Sequence, residues 1–439
     1  MALHRALADK LNAALRPQPS RPLTPRDATL PRVPGKAHAI IGMRRAGKTC
    51  YLHQLLEARR AIEPAPERAI YLSFDDDRLA GIGTEQLDEL LEEYFRRLPA
   101  FRGQGRVAWF LDEVQLVDGW DRFVRRVMDS ENIDMVVSGS SAKMLSREVH
   151  SSLRGRAMAT VIRPFGFREY LRHHKQEPTG PAAHLLPSER SLIEQKLMHY
   201  LVGGGFPECQ GVDRTDRISL LQSYVDTVLF RDIVERHQVS QVAALRWIIR
   251  HALRNPCGSF SVHRLHEDLR SQGYQIAKDS VHAMLDHLTD AFLISTAWVA
   301  TESERQRHVN PRKVYPADVG LIEAFDASGR SNIGHAFETV VFNELERRGA
   351  TVSYVKLGSE REVDFLATYP GGLTQLIQVC ADPSLPETLD RELAALTEAQ
   401  QVHPRATPQL IVLEASVAAR TVAPGIAVVP AAEWLLDLP

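Results

Sequence analysis

The sequence predicts an α/β chain whose N-terminal part is a parallel sheet flanked by helices, followed by a helical segment and a second, smaller α/β region. Three observations carry this. Short apolar runs of strand length recur from Ala37 onward and alternate with segments of helical periodicity. A glycine-rich turn separates the first run from the first helix, as in a strand–loop–helix unit. After a mostly helical middle stretch, strand-length runs return in the last ~120 residues.

Taken in order, residues 1–36 read as an N-terminal helix, with Leu3, Leu7, Leu11 and Leu15 at helical spacing, and a Pro-rich linker from Arg16 to Pro34. Residues 37–180 form the expected sheet domain, with strands at Ala39–Ile41, Ala69–Leu72, Val107–Leu111, Met135–Val137 and Met158–Ile162. A Pro-, Gly- and His-containing break from Glu177 to Pro187 closes it. Residues 181–240 read as a helical lid or connector, interrupted at Gly203–Gly205.

Residues 241–312 give three helical patterns: Leu245–Leu253, Val262–Ser271 and, after a turn at Gly273, Lys278–Asp290. Leu265, Leu269, Val281, Leu285 and Leu288 are spaced to share one small core. A strand at Phe292–Val299 then leads into a polar, basic loop from Glu302 to Lys313. That order fits a winged helix-turn-helix. In residues 313–439 the candidate strands are Val352–Val355, Val363–Ala367, Leu376–Val379 and Gln409–Val412.

Bulk properties narrow the functional classes. A chain of 439 residues is too long for one core, so two to four domains are expected. The net charge of −2 neither supports nor excludes nucleic acid, whose binding would need a local basic surface. The four cysteines (Cys50, Cys209, Cys257, Cys380) are scattered, without metal-ligand spacing, which argues against a disulfide framework or zinc site. No apolar run approaches the ~18 residues of a membrane span, and no secretory signal is visible. A cytoplasmic protein with no membrane partner is the expectation.

The strongest motif is Gly42, Met43, Arg44, Arg45, Ala46, Gly47, Lys48, Thr49, which fits G-x-x-x-x-G-K-[ST] at each fixed position, with Cys50 opening the next turn. Gly42 and Gly47 let the backbone curl so that successive N–H groups face phosphate oxygens. Lys48 is placed to reach the β- and γ-phosphates of ATP, and Thr49 to ligate Mg²⁺. The apolar strand Val107–Leu111 ends in Asp112 and Glu113. Asp112 would hold Mg²⁺ through water, and Glu113 would position the attacking water. The acid pair, rather than a lone Asp, favours hydrolysis over passive binding.

A third apolar run ends in Ser138-Gly-Ser-Ser141. Ser138 or Ser140 either senses the γ-phosphate between the carboxylate elements or belongs to a plain strand-turn. Arg154 and Arg156 precede the fifth strand. One of them either stabilises transition-state charge, on its own or a neighbouring subunit's nucleotide, or both are surface arginines. A homo-oligomer is the expectation that follows from the first alternative.

These segments, with Arg163-Pro-Phe-Gly-Phe-Arg-Glu169, follow one another as in a family of prokaryotic AAA+-like ATPases, which the chain resembles from about residue 37 onward. Further matches are Val228-Leu-Phe-Arg-Asp-Ile233, Lys313-Val-Tyr-Pro-Ala-Asp-Val-Gly320, Gly334-His-Ala-Phe-Glu338 and Arg361-Glu-Val-Asp-Phe365. The resemblance implies a P-loop NTPase sheet of the additional-strand type, joined to a C-terminal restriction-endonuclease-like α/β domain. The strand Ala69–Leu72 between the two phosphate motifs is the expected extra strand.

Glu338, Asp364, Gln378 and Cys380 resemble the PD-(D/E)xK nuclease framework, in which acids bind Mg²⁺ and a lysine activates water. Positions 378 and 380 share a strand face. Gln378 stands where that framework has an acid, and Cys380 where it has the lysine. A degenerate, non-cleaving site is therefore expected. In the helix-turn-helix segment, Lys278 and His282 on the third helix, with Arg305, Arg307, Arg312 and Lys313 in or after the wing, are the candidate DNA contacts. Asp279 and Asp286 on the same helix oppose that assignment.

The resulting expectation is a Mg²⁺- and ATP-dependent AAA+-like ATPase acting on DNA as a motor or remodeller. The alternatives are a nucleotide-gated switch acting on a protein partner and, against the residues at 378 and 380, an ATP-dependent nuclease.

Overall fold

The computed structural model describes residues 3–16, 22–139, 153, 155–326, 332–358, 361–381 and 386–437. Ser140 and Arg154 lie outside them. The chain divides into two units, Met1–Arg163 and Pro164–Pro439, so the boundary expected after residue 180 falls inside the second unit.

In the first unit, β1 (Ala37–Ile41), β2 (Ala69–Ser73), β3 (Val107–Asp112), β4 (Ile133–Ser138) and β5 (Ala157–Val161) pair in the order β2-β3-β4-β1-β5. Every pairing is parallel. All six residues of β3 are buried, which explains its unbroken apolar run: helices cover both faces of a parallel sheet, so neither face can be polar. The helices Lys48–Arg60, Thr84–Arg97 and Trp120–Ser130 follow β1, β2 and β3.

β2 lies between the phosphate motifs in the chain but at the edge of the sheet. The strand that separates β1 from β3 is β4. The expected additional strand is therefore present, but it is the one ending in Ser138 rather than Ala69–Leu72.

The helix Arg5–Ala14 buries Leu7 and Leu11 fully and packs against β2, while Arg60 donates to the Ala14 carbonyl at 2.8 Å. The described part of the Pro-rich stretch is bound rather than loose. Its prolines have no N–H to give a sheet, but its carbonyls accept hydrogen bonds. Gln54 donates to Thr24 and Tyr51 to Ala28, at 2.6 and 2.9 Å, both from the helix that follows β1.

In the second unit, helices Phe167–His173, Pro187–Gly203 and Arg214–Thr227 run into a π-helical turn at Val228–Val234. Three helices follow, Val242–Arg254, Val262–Ser271 and Lys278–Asp290, close to their expected limits. The strands are β6 (Ser259–Phe260), β7 (Ile294–Val299), β8 (Arg312–Pro316), β9 (Thr351–Lys356), β10 (Glu362–Thr368), β11 (Thr374–Cys380), β12 (Thr407–Val412) and β13 (Ala427–Pro430). They form one mixed sheet in the order β13-β12-β11-β10-β9-β7-β8-β6.

That sheet is continuous across the boundary expected at residue 312, because β7 pairs in parallel with β9. The loop read as basic and irregular contains a short helix, Glu304–Val309, and its last residue, Lys313, is inside β8. The core beneath the sheet includes Tyr315 stacked on Phe342 at 3.9 Å, with Phe337 and Phe365. Asp318 is buried and accepts from the N–H groups of Gly205 and Gly320, at 2.7 and 2.9 Å. Burial pushes its carboxyl up to about 6, against those two backbone donors.

Candidate nucleotide site

β1 delivers the chain to Gly42, whose φ of +139° is open only to glycine, and where a Cβ would stand 2.1 Å from the Ile162 carbonyl oxygen. Gly47, at φ +100°, caps the helix Lys48–Arg60, so the N–H groups of its first turn face the loop. Met43 and Ala46 are buried and anchor the loop, Arg44 is half-buried, and Arg45, Thr49 and Cys50 are exposed. Lys48 is buried, and its ammonium donates to the carbonyls of Gly42 and Met43, both at 3.0 Å. It is thereby held over the cradle by neutral acceptors that an anion can outcompete.

At the end of β3, Asp112 is almost fully buried and accepts three hydroxyl hydrogen bonds. Thr49 Oγ1 reaches its Oδ2 at 2.8 Å, Tyr71 reaches the same oxygen at 2.7 Å, and Ser138 Oγ donates to its Oδ1. Ser138 also accepts from the Glu113 N–H at 3.3 Å. The fully buried serine thus fixes both members of the acid pair, and β4 is the element that brings it there. Glu113 takes a left-handed φ of +53°, which turns its half-buried side chain away from the strand direction. Its carboxylate accepts from the Gln115 amide. The other atom of that amide, Oε1, is buried without a hydrogen-bond partner among the described residues.

Lys48, Thr49, Asp112, Glu113 and Ser138 are thus brought together as the motifs require. Arg156 lies apart from them in an exposed ion pair with Asp129. Such a pair contributes little and leaves the guanidinium displaceable.

Three participants escaped sequence reading. Tyr71 belongs to an edge strand, and only the in-register pairing of Tyr71 with Phe110 and Ser73 with Asp112 reveals its reach. Its phenol is pushed well above its usual range by burial and by the neighbouring Asp112 carboxylate. Gln115 follows the acid pair by two residues, and nothing in its spacing marks it as a partner of Glu113. Arg26, from the Pro-rich stretch, donates to the Ala46 carbonyl at 3.0 Å and to that of Arg163. The alternation of Tyr71 and Ser73 toward one face was the one available signal for the first.

The second unit corrects several expectations. Lys313 is no DNA contact: its side chain is 4% exposed, and its ammonium lies 2.8 Å from Glu362, 3.4 Å from Glu338 and 3.6 Å from Asp364. Burial pulls that ammonium down, but the three carboxylates outweigh it and hold the lysine charged. Asp364 is driven well above the usual carboxyl range by burial and by Glu338, against the pull of Lys313. Gln378 accepts from the Asp364 N–H at 3.1 Å and donates to Glu392 at 2.8 Å. Cys380 is buried. Position 380 therefore brings no cation, but β8 supplies one from elsewhere in the sheet. Among the described residues, no group of three or more His, Cys, Asp or Glu is arranged to hold a metal.

The other wing candidates are mostly committed inside the unit. Arg312 lies over Trp298, 4.0 Å from its ring centre, and pairs with Asp286 at 3.4 Å. Arg307 pairs with Glu304 at 2.7 Å. Burial and the adjacent Arg312 lower the His282 pKa, which favours its neutral form. Lys278 and Arg305 are exposed.

A phosphate loop on β1, an acid pair on β3 and a hydroxyl on the strand between them define an ATP-binding P-loop domain of the AAA+ class. A family model described as an AAA domain matches residues 34–171, and one described as a domain of unknown function matches residues 194–332. An uncharacterised protein of Methanocaldococcus jannaschii is 33% identical over 381 residues, spanning 85% of this chain and 81% of that one. The chain belongs to the same family as this archaeal protein. A Haemophilus influenzae protein, also uncharacterised, is 28% identical over 75% of this chain and 78% of its own. The solved Walker-type ATPase of Pyrococcus abyssi covers 74% of this chain and 96% of its own at 14% identity, with a TM-score of 0.43, too loose a likeness to bear on function.

Proposed function

We propose that the chain is a Mg²⁺-dependent ATPase whose turnover drives work on DNA. The observation that carries the ATPase reading is the arrangement at the end of β3: Thr49 and Asp112 are 2.8 Å apart, with Glu113 fixed beside them through Ser138. The donor set fits the group it would receive, because a hydroxyl and a carboxylate are hard oxygen ligands of the kind Mg²⁺ takes together with substrate phosphates. Bound with ATP, that ion would neutralise charge on the β- and γ-phosphates.

The chain's own residues supply the rest. Lys48 exchanges its two backbone carbonyls for phosphate oxygens. Asp112, with Thr49, would hold the ion, and Ser138 keeps the Asp112 carboxylate oriented. Glu113, released from Gln115, accepts the proton of the attacking water, and the resulting hydroxide displaces ADP from the γ-phosphorus. Support for an oligomer is the displaceable Arg156; support for DNA is the pair of exposed cations, Lys278 and Arg305, in the helix-turn-helix segment. Glu113→Gln tests the assignment: ATP binding is retained and hydrolysis lost. If the variant hydrolyses ATP at the wild-type rate, Glu113 is not the base.

A further inference from the structure

We infer that the nucleic-acid-binding face of the second unit is the arginine side of the helix Val242–Arg254, together with Phe230, rather than the wing. This rests on the DNA reading above and names its surface. Arg246, Arg250 and Arg254 recur every fourth residue, so they line one side of the helix about 6 Å apart along its axis. The helix contains no acid, and its opposite side is buried through Leu245, Ile248 and Ala252. The arginine side borders a cavity of about 360 Å³.

The guanidinium groups are weakly engaged. Arg250 is exposed and makes no hydrogen bond or ion pair among the described residues. Arg246 is 3.8 Å from Asp226, both of them well exposed, and among the described residues Arg254 donates only to the Phe325 carbonyl, at 2.9 Å. Two acids, Asp226 and Asp326, also border the cavity, so the face keeps an excess of positive charge.

An aromatic ring completes it. The π-helical turn Val228–Val234 closes its hydrogen bonds one residue farther along than an α-helix, and such turns concentrate at functional sites. Its Val228, Leu229 and Ile233 are buried while Phe230 is 41% exposed, with the Arg246 guanidinium 5.5 Å from its ring centre. Exposed Arg231 follows it. Spaced cations beside an exposed ring match a strand of nucleic acid: phosphates meet the guanidinium groups, and a base stacks on the phenyl ring. On the wing, by contrast, Lys313 is buried and Arg312 and Arg307 are paired.

The test is fluorescence anisotropy of a labelled oligothymidylate with the full chain, titrated between about 50 and 200 mM salt. R246A/R250A/R254A is expected to weaken binding and to flatten the salt slope by about 2, at about 0.7 per lost phosphate contact on a single strand. Phe230→Ala is expected to cost roughly fivefold or more in affinity. Arg254 bonds its own fold, so Arg250→Ala alone keeps the test sound should the triple variant misfold; it is expected to flatten the slope by about 0.7. K278A/R305A is the contrasting arm. Unchanged binding by the arginine variants, or loss only in K278A/R305A, overturns this surface while leaving the DNA reading intact. No binding by the wild-type chain overturns both.

Discussion

Asp112 and Asp364 are both buried carboxylates on strands, each in its own unit, and they differ in the kind of partner they keep. Asp112 is surrounded by three hydroxyls, which are neutral and replaceable, and a mobile cation can take their place. Asp364 faces a lysine already locked among three carboxylates, and its remaining oxygen accepts from the Val379 N–H at 3.0 Å. The first arrangement exchanges ligands; the second has its cation built in. A strand carboxylate is thus a weak sign of chemistry until its neighbours are known, because the same residue type keeps exchangeable partners in one setting and a built-in cation in the other.

Substitutions at the two sites should therefore fail in different ways. The largest effect is expected from Glu113→Gln, which should lower ATP hydrolysis by about 10²–10⁴-fold while a fluorescent ATP analogue still binds. Lys313→Met should do the reverse. It leaves three carboxylates facing one another without their cation, at a cost of roughly 3–5 kcal/mol, seen as an earlier urea transition with ATP binding unchanged. Should Lys313→Met keep wild-type stability, the built-in cation is not structural and the contrast collapses.

A smaller effect comes from Asp318. Its folded-state pKa of about 6 lies above the ordinary value of 3.8, so the folded state holds the proton more tightly than the unfolded one. Its contribution is fully present below about pH 4 and is lost as pH rises through 6, roughly 3 kcal/mol in all. The stability of the wild type relative to Asp318→Asn should accordingly fall between pH 4 and 6, and a pH-independent difference would contradict the assignment. The smallest change is expected from Tyr71→Phe, which removes one of the three hydroxyls on Asp112. It should cost about 1 kcal/mol in stability of the first unit, read by thermal melting.

The sequence was most informative where local chemistry and long-range order coincide. The loop from Gly42 to Thr49 and the Asp112–Glu113 step are contiguous, so their roles follow from spacing alone. The three helices between Val242 and Asp290 were legible because their apolar spacing matches one small core. What stayed hidden depends on sheet order. Nothing in the run Met135–Val137 says that it inserts between β1 and β3, so sequence alone leaves Ser138 and Ser140 equivalent and points to β2, not β4, as the inserted strand.

Lys313 shows the same limit more sharply. Its basic neighbours, Arg305, Arg307 and Arg312, made it read as a wing cation. Only the pairing of β8 with β7, and of β7 with β9, brings it beside Glu338 and Asp364. The Pro-rich stretch was read as a linker because its composition lacks core formers. Apart from the Arg26 guanidinium, its anchoring uses the backbone carbonyls of Thr24 and Ala28, which no side-chain pattern records.

The measurement that bears most directly on the central claim is phosphate release from ATP by the full chain in Mg²⁺, with and without DNA, with Glu113→Gln in parallel. The account predicts turnover that DNA increases and that the substitution abolishes. Turnover indifferent to DNA would contradict the DNA-acting role and favour a nucleotide-gated switch with a protein partner. No turnover from a chain that binds ATP would contradict the ATPase itself.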